Sequence, residues 1–164
     1  MTKQTRQTIG LLSAISVYYL IHEGAHFLYA MSMGAFKEIH ILGMGIQIDI
    51  YRELLTNRQL GIFCLVGTLS TQLAAYAMVL LRHRICRASS KVFRACCYYI
   101  TIALLLLDPL YLSVLCSFFG GGDMNGIGLL LPEMIARVGF GLLLLINGIV
   151  FWKKVLPHYT QSFH

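Results

Sequence analysis

Acidic side chains are scarce in this sequence, with seven Asp and Glu against 13 Lys and Arg among 164 residues. Only 12% of residues are charged, where soluble domains carry about 25%. A soluble globular domain is therefore excluded, and 57% hydrophobic residues in long apolar runs indicate an integral-membrane chain. Cysteine usage says nothing of disulfides, but its spacing argues against a zinc-thiolate or redox site. Cys64 and Cys116 fall in apolar runs, Cys86, Cys96 and Cys97 flank a basic stretch, and none forms C-x-x-C. The formal charge of +6 invites a nucleic-acid partner, yet the basic residues do not interleave with aromatics, so none is expected. Five of them (Arg82, Arg84, Arg87, Lys91, Arg94) share one stretch, 82 to 95, read as a loop between spans. Such a loop is a topology signal and a contact for anionic lipid headgroups.

Four apolar spans are predicted, at about residues 8–33, 60–81, 96–119 and 132–152, forming one integral-membrane domain over 1–164. Each is long enough to cross a hydrocarbon core of about 30 Å. Lys3 and Arg6 ahead of the first span resemble a signal peptide, but cleavage would remove its polar residues, so it reads as a retained span. Residues 36 to 51 differ: Ile39 and Ile41 flank His40, and Ile46, Ile48 and Ile50 alternate with Gln47, Asp49 and Tyr51. Period-two alternation about Gly43-Met44-Gly45 predicts a β-hairpin, with an amphipathic loop on the bilayer surface as the alternative. The fold class is thus an all-α membrane protein of about four transmembrane helices, with a small membrane-associated β-hairpin between spans one and two. Multi-pass insertion, in the cell membrane, follows as the expected localisation, with the lipid bilayer itself as one partner.

Within span one lies Leu-Ile-His-Glu-Gly-Ala-His, placing His22, Glu23 and His26 in apolar surroundings. Residues at i and i+4 share a helix face, so the two imidazoles can grip one Zn²⁺ with Glu23 beside its open position. An ionisable side chain at mid-span costs about 2.5 to 3.5 kcal/mol on insertion scales, which makes such a cluster a functional-site hypothesis. A catalytic zinc usually has three protein ligands. His40, His83, His158 and His164 lie in predicted loops or the tail and read as solvated, which leaves Asp108 and Asp123, attached to apolar spans. Asp123, after Gly120-Gly121-Gly122, has backbone freedom to reach another helix and is the first choice. Asp108 is the second, although Asp108-Pro109 also suits the cap and first residue of a new helix. In span two, the small and polar cluster Gly67-Thr68-Leu69-Ser70-Thr71-Gln72 predicts close helix approach, and Asn147 in span four predicts an interhelical hydrogen bond.

These features together resemble the site-2 proteases, the intramembrane zinc metalloproteases. His22-Glu23-x-x-His26 resembles their metal motif, residues 36–51 their membrane-associated β region, and Gly67 the site of their Gly-Pro. Gly122-Asp123 is similar to their Asp-Gly motif, although Met124 follows the Asp here and Thr68 follows Gly67. The resemblance implies zinc on His22, His26 and Asp123, Glu23 as general base, and hydrolysis of a peptide bond in or near a transmembrane segment of a membrane-protein or membrane-anchored peptide substrate. Ile46, Gln47 and Ile48 are then expected to bind substrate by strand addition. Two rival readings are a non-proteolytic metal-binding scaffold or chaperone, and a small metal-ion or proton transporter. The positive-inside rule puts both termini in the cytoplasm. Glu23, 15 residues past Thr8, or about 22 Å along a helix, then lies nearer the outer face, whereas the family more often faces the cytosol; orientation stays open at this point.

Overall fold

The computed structural model describes residues 1–42, 45–120 and 122–163. The Gly43-Met44 turn, Gly121 and His164 lie outside the described residues. Helix α1 (Lys3–Ser32) starts at Thr2, whose side chain accepts from the Thr5 amide, and stops before Gly34, where φ is +64°. A positive φ costs glycine nothing and ends the helical ladder. The chain then enters strand β1 (Phe36–Leu42), which pairs antiparallel with β2 (Gly45–Ile50). The register places Ile39 opposite Ile48, His40 opposite Gln47 and Ile41 opposite Ile46, so the predicted hairpin is present. Of its isoleucines Ile48 is buried, while Ile39, Ile41 and Ile46 stay exposed.

Helix α2 (Asn57–Cys86) begins in a capping box between Thr56 and Gln59, and α3 (Lys91–Phe119) begins at Ser90, whose hydroxyl accepts from the Phe93 amide. A short α4 (Gly122–Ile127) follows, then α5 (Glu133–Phe163). Among the described residues α2, α3 and α5 are long and apolar enough to cross a membrane. Their outward Leu73, Leu80, Phe118 and Met134 are each at least 75% exposed, as lipid-facing side chains are. Helix α1 is not among them, because His22, Glu23 and His26 lower its hydropathy, yet it packs lengthwise against α3 and α2.

Two expectations need correction. The basic stretch 82–95 is not a loop: α2 continues through Arg82 and Arg84, and only residues 87–90 separate it from α3. Arg and Lys are good helix formers whose long stems carry the charge to water, so apolarity ends before the helix does. Nor does Asp108 cap a helix, since α3 runs on through Pro109 into a π-helical turn at Tyr111–Leu115. Proline has no N–H to offer the carbonyl of Leu105. That carbonyl instead accepts from the Asn147 side-chain amide of α5 at 2.7 Å. Asn147 also donates to Gln72 at 2.7 Å and accepts from Tyr76 at 2.7 Å. Fully buried and fully bonded, it ties α2, α3 and α5 together, the interhelical role its position predicts.

This polar layer separates two apolar clusters. One holds Ala30, Ile48, Phe63, Leu112 and Met124 on the hairpin side; the other holds Ala75, Val79, Leu104, Leu105 and Tyr159 toward the termini.

Candidate metal centre

The i, i+4 spacing on α1 brings the imidazoles of His22 and His26 together, with ring centroids 4.9 Å apart and Nε2 atoms 3.1 Å apart. Both residues are buried. Asp123 reaches them from the first turn of α4, its Oδ2 lying 3.2 Å from Nε2 of His22 and 3.6 Å from Nε2 of His26. Two close approaches make this possible. Gly126 lets α4 settle on α2 beside Cys64, and Gly67 lets α2 settle on the imidazoles themselves. A Cβ at Gly67 would stand 2.5 Å from Nε2 of His26 and 2.8 Å from Nε2 of His22, so any larger residue would displace the rings. Gly120, at φ +96°, ends α3 and turns the chain into α4, and Tyr111 fixes that turn by donating to the Gly120 carbonyl at 2.6 Å.

Asp108 stands on the far side of His22, 3.3 Å from Nδ1. It accepts from the hydroxyls of Tyr18 and Thr71 and is almost fully buried. A proton held on Nδ1 by this carboxylate leaves Nε2 of His22 with a lone pair directed at Nε2 of His26 and at Asp123. Asp108 therefore does not join the donor set that the second-choice reading gave it; it braces the first histidine from behind. Nδ1 of His26 is buried without a hydrogen-bond partner, and its ring rests against Phe63 with centroids 4.7 Å apart.

His22, His26 and Asp123 offer ligand atoms all within 4.8 Å of one another and could hold a metal ion. The edges of the triangle, 3.1, 3.2 and 3.6 Å, fit a tetrahedral ion with bonds near 2.1 Å, whose ligands stand about 3.4 Å apart. Two imidazole nitrogens and a carboxylate oxygen are, moreover, acceptors that repel when unprotonated, and an ion at their centre removes that conflict. The donor set suits a metal.

Glu23 is half-buried and lines a cavity of about 510 Å³ together with His26, Asp123 and, on the opposite wall, Ile46, Gln47 and Ile48 of β2. It also lines an adjoining apolar cavity of about 580 Å³ between α1 and the hairpin. The edge of β2 facing this space is unpaired. Tyr51 donates its amide back to Ala35 at 2.8 Å, so by alternation Ile46, Ile48 and Ile50 turn their amides away from β1. The backbone of Ile48 faces the Glu23 carboxyl.

A second group of similar donors, Glu38, His40 and Asp49, lies on the hairpin, with His40 Nε2 3.1 Å from Glu38 and 3.3 Å from Asp49. It is more exposed, and Lys37 already occupies the same Glu38 oxygen at 3.1 Å. The Lys37 ammonium and then His40 hold the Glu38 carboxyl below the usual carboxylate range. His40 thus stands on a strand of the hairpin beside Glu38 and Asp49, its side chain 43% exposed, and His158 stacks edge-on against His83 at 4.5 Å.

Tyr18 and Thr71 were not singled out as site residues by the sequence reading. Tyr18 sits one turn before His22, and Thr71 sits in the small polar cluster after Gly67, so helical spacing was the available signal. No family model, curated protein or solved structure matches this chain. The fold and site define a class without such help: a helical bundle of membrane-spanning type with a buried His-His-Asp cluster facing a cavity and an open strand edge.

Proposed function

We propose that this protein is an intramembrane zinc metalloendopeptidase, resembling the site-2 proteases, that hydrolyses a peptide bond in or near a transmembrane segment of a membrane-protein substrate. The observation that carries the reading is the convergence of His22, His26 and Asp123 beside Glu23, in a cavity whose other wall is the open edge of β2. Two nitrogens and one oxygen suit zinc, and three protein ligands leave a position open. Bound there, zinc supplies Lewis acidity, polarising a carbonyl and lowering the pKa of water toward about 7.

The chain's own residues supply the rest. Glu23 takes a proton from the attacking water and returns it to the departing amine as the C–N bond breaks. Asp108 holds His22 in one tautomer through Nδ1, with Tyr18 and Thr71 fixing the carboxylate. A transmembrane helix hides its backbone, so the substrate must unwind to be cut. The outward amides and carbonyls of Ile46 and Ile48 receive the unwound stretch as an added strand and hold it against Glu23, while the apolar cavity accommodates its side chains.

In this reading α1 joins α2, α3 and α5 as a fourth span. Lys3, Arg6, Arg82, Arg84, Arg87, Lys91, Arg94, Lys153 and Lys154 then lie at one end, which the positive-inside rule assigns to the cytoplasm.

The test is cleavage by purified protein in liposomes against a single-span substrate, for the wild type and Glu23→Gln, with metal content measured in parallel. Loss of cleavage with metal retained supports the reading. A wild type that binds metal and cuts no membrane substrate returns it to a scaffold, and metal flux surviving Glu23→Gln returns it to a transporter.

A further inference from the structure

At the end of the molecule away from the histidines, a cavity of about 530 Å³ opens between the first turns of α1, the start of α3 and the end of α5. Lys3, Arg6, Tyr98, Tyr99, Tyr159 and Phe163 are among its walls. Two independent features of this end call for an anion. The first is charge. No Asp or Glu occurs in residues 1–22, 54–107 or 134–164, the segments that carry the nine cations of this end, so these segments provide them with no acidic side chain.

The second is Arg94. It is 8% exposed, donates to the carbonyl of Ala88, and lies over the ring of Phe163 at 5.7 Å, while its Nε is buried without a partner. Among the described residues no carboxylate pairs with it. A buried guanidinium without a counter-charge is costly.

From these we infer that the cavity binds the headgroup of an anionic phospholipid, its phosphodiester received by Lys3 and Arg6. Anionic headgroups collect in basic pockets between helices on the cytoplasmic side. The rings of Tyr98, Tyr99 and Phe163 supply an apolar wall where the glycerol and first methylenes lie. The shared chemistry is a phosphate ester, which free phosphate also offers; the position at the membrane end of three helices favours the lipid.

The experiment titrates full-length protein in neutral detergent with short-chain phosphatidylglycerol, phosphatidylcholine and inorganic phosphate, reading stoichiometry by native mass spectrometry and affinity by thermal shift. The expected result is one phosphatidylglycerol per chain, with phosphatidylcholine and phosphate much weaker. Lys3→Gln with Arg6→Gln weakens it roughly 25-fold, about fivefold per cation. Lys153→Gln with Lys154→Gln, outside the cavity wall, leaves affinity within about twofold because distant charges are screened. Equal binding of phosphatidylcholine, equal loss from the Lys153 and Lys154 pair, or phosphate alone binding as tightly would each overturn the inference.

Discussion

Asp108 and His22 meet at 3.3 Å through the ring nitrogen that faces away from the donor cluster. One carboxylate therefore braces the imidazole while the other, Asp123, shares the front of it at 3.2 Å.

The two carboxylates predict different losses. Asp123→Asn removes a donor, and bound metal should fall to background. Asp108→Asn keeps the donor set but loosens the tautomer and aim of His22, so affinity should drop about 10- to 100-fold with the site still able to fill. Metal content after dialysis against graded chelator separates them; equal loss from both would mean that Asp108 is itself a ligand.

Gly67→Ala should cost the metal as well. The added methyl stands within 2.8 Å of both Nε2 atoms, and the fit has no slack on the α2 side. Overpacking of this kind costs about 1–3 kcal/mol. Gly24→Ala, one residue from Glu23 but with nothing within 4 Å of the new methyl, is the matched control and should retain full metal content.

Asn147→Leu should destabilise the bundle by about 1–3 kcal/mol, by stranding the Leu105 carbonyl and the Gln72 and Tyr76 side chains. Pro109→Ala restores an N–H beneath Leu105, so part of that cost should vanish in the double variant. Denaturation in mixed micelles gives the coupling, and strictly additive losses would remove the account of Pro109 offered here.

Ile48→Pro tests the strand edge. Proline deletes the one amide of β2 that faces Glu23, and losing a backbone hydrogen bond to substrate, worth about 1.4 kcal/mol, should slow cleavage at least about tenfold. Metal content should not change. Cleavage at the wild-type rate would place substrate elsewhere.

How much of this was legible in the sequence follows the range of each signal. His22 and His26 are four residues apart, and their meeting follows from helix geometry alone. The hairpin was legible because alternation is local. Asp123 was reached through chemistry and resemblance, since the approach of α4 depends on Gly126 facing Cys64, a contact between distant segments. The capping role expected of Asp108 failed for the same reason. Asp-Pro reads locally as a helix start, but Asn147 absorbs the proline's missing bond from α5 and the helix goes on. The loop assigned to 82–95 failed because hydropathy reports where lipid ends, while helices end at caps such as Ser90.

The split of the donor set along the chain sets an order in time. Its two histidines lie on α1, yet the third donor belongs to a short helix synthesised only after three long ones. A ribosome that has released α1, the hairpin and α2 has therefore produced both histidines but not Asp123. The three donors of this cluster can meet only once α3 is laid down and α4 has docked, so the cluster closes well after its histidines are made.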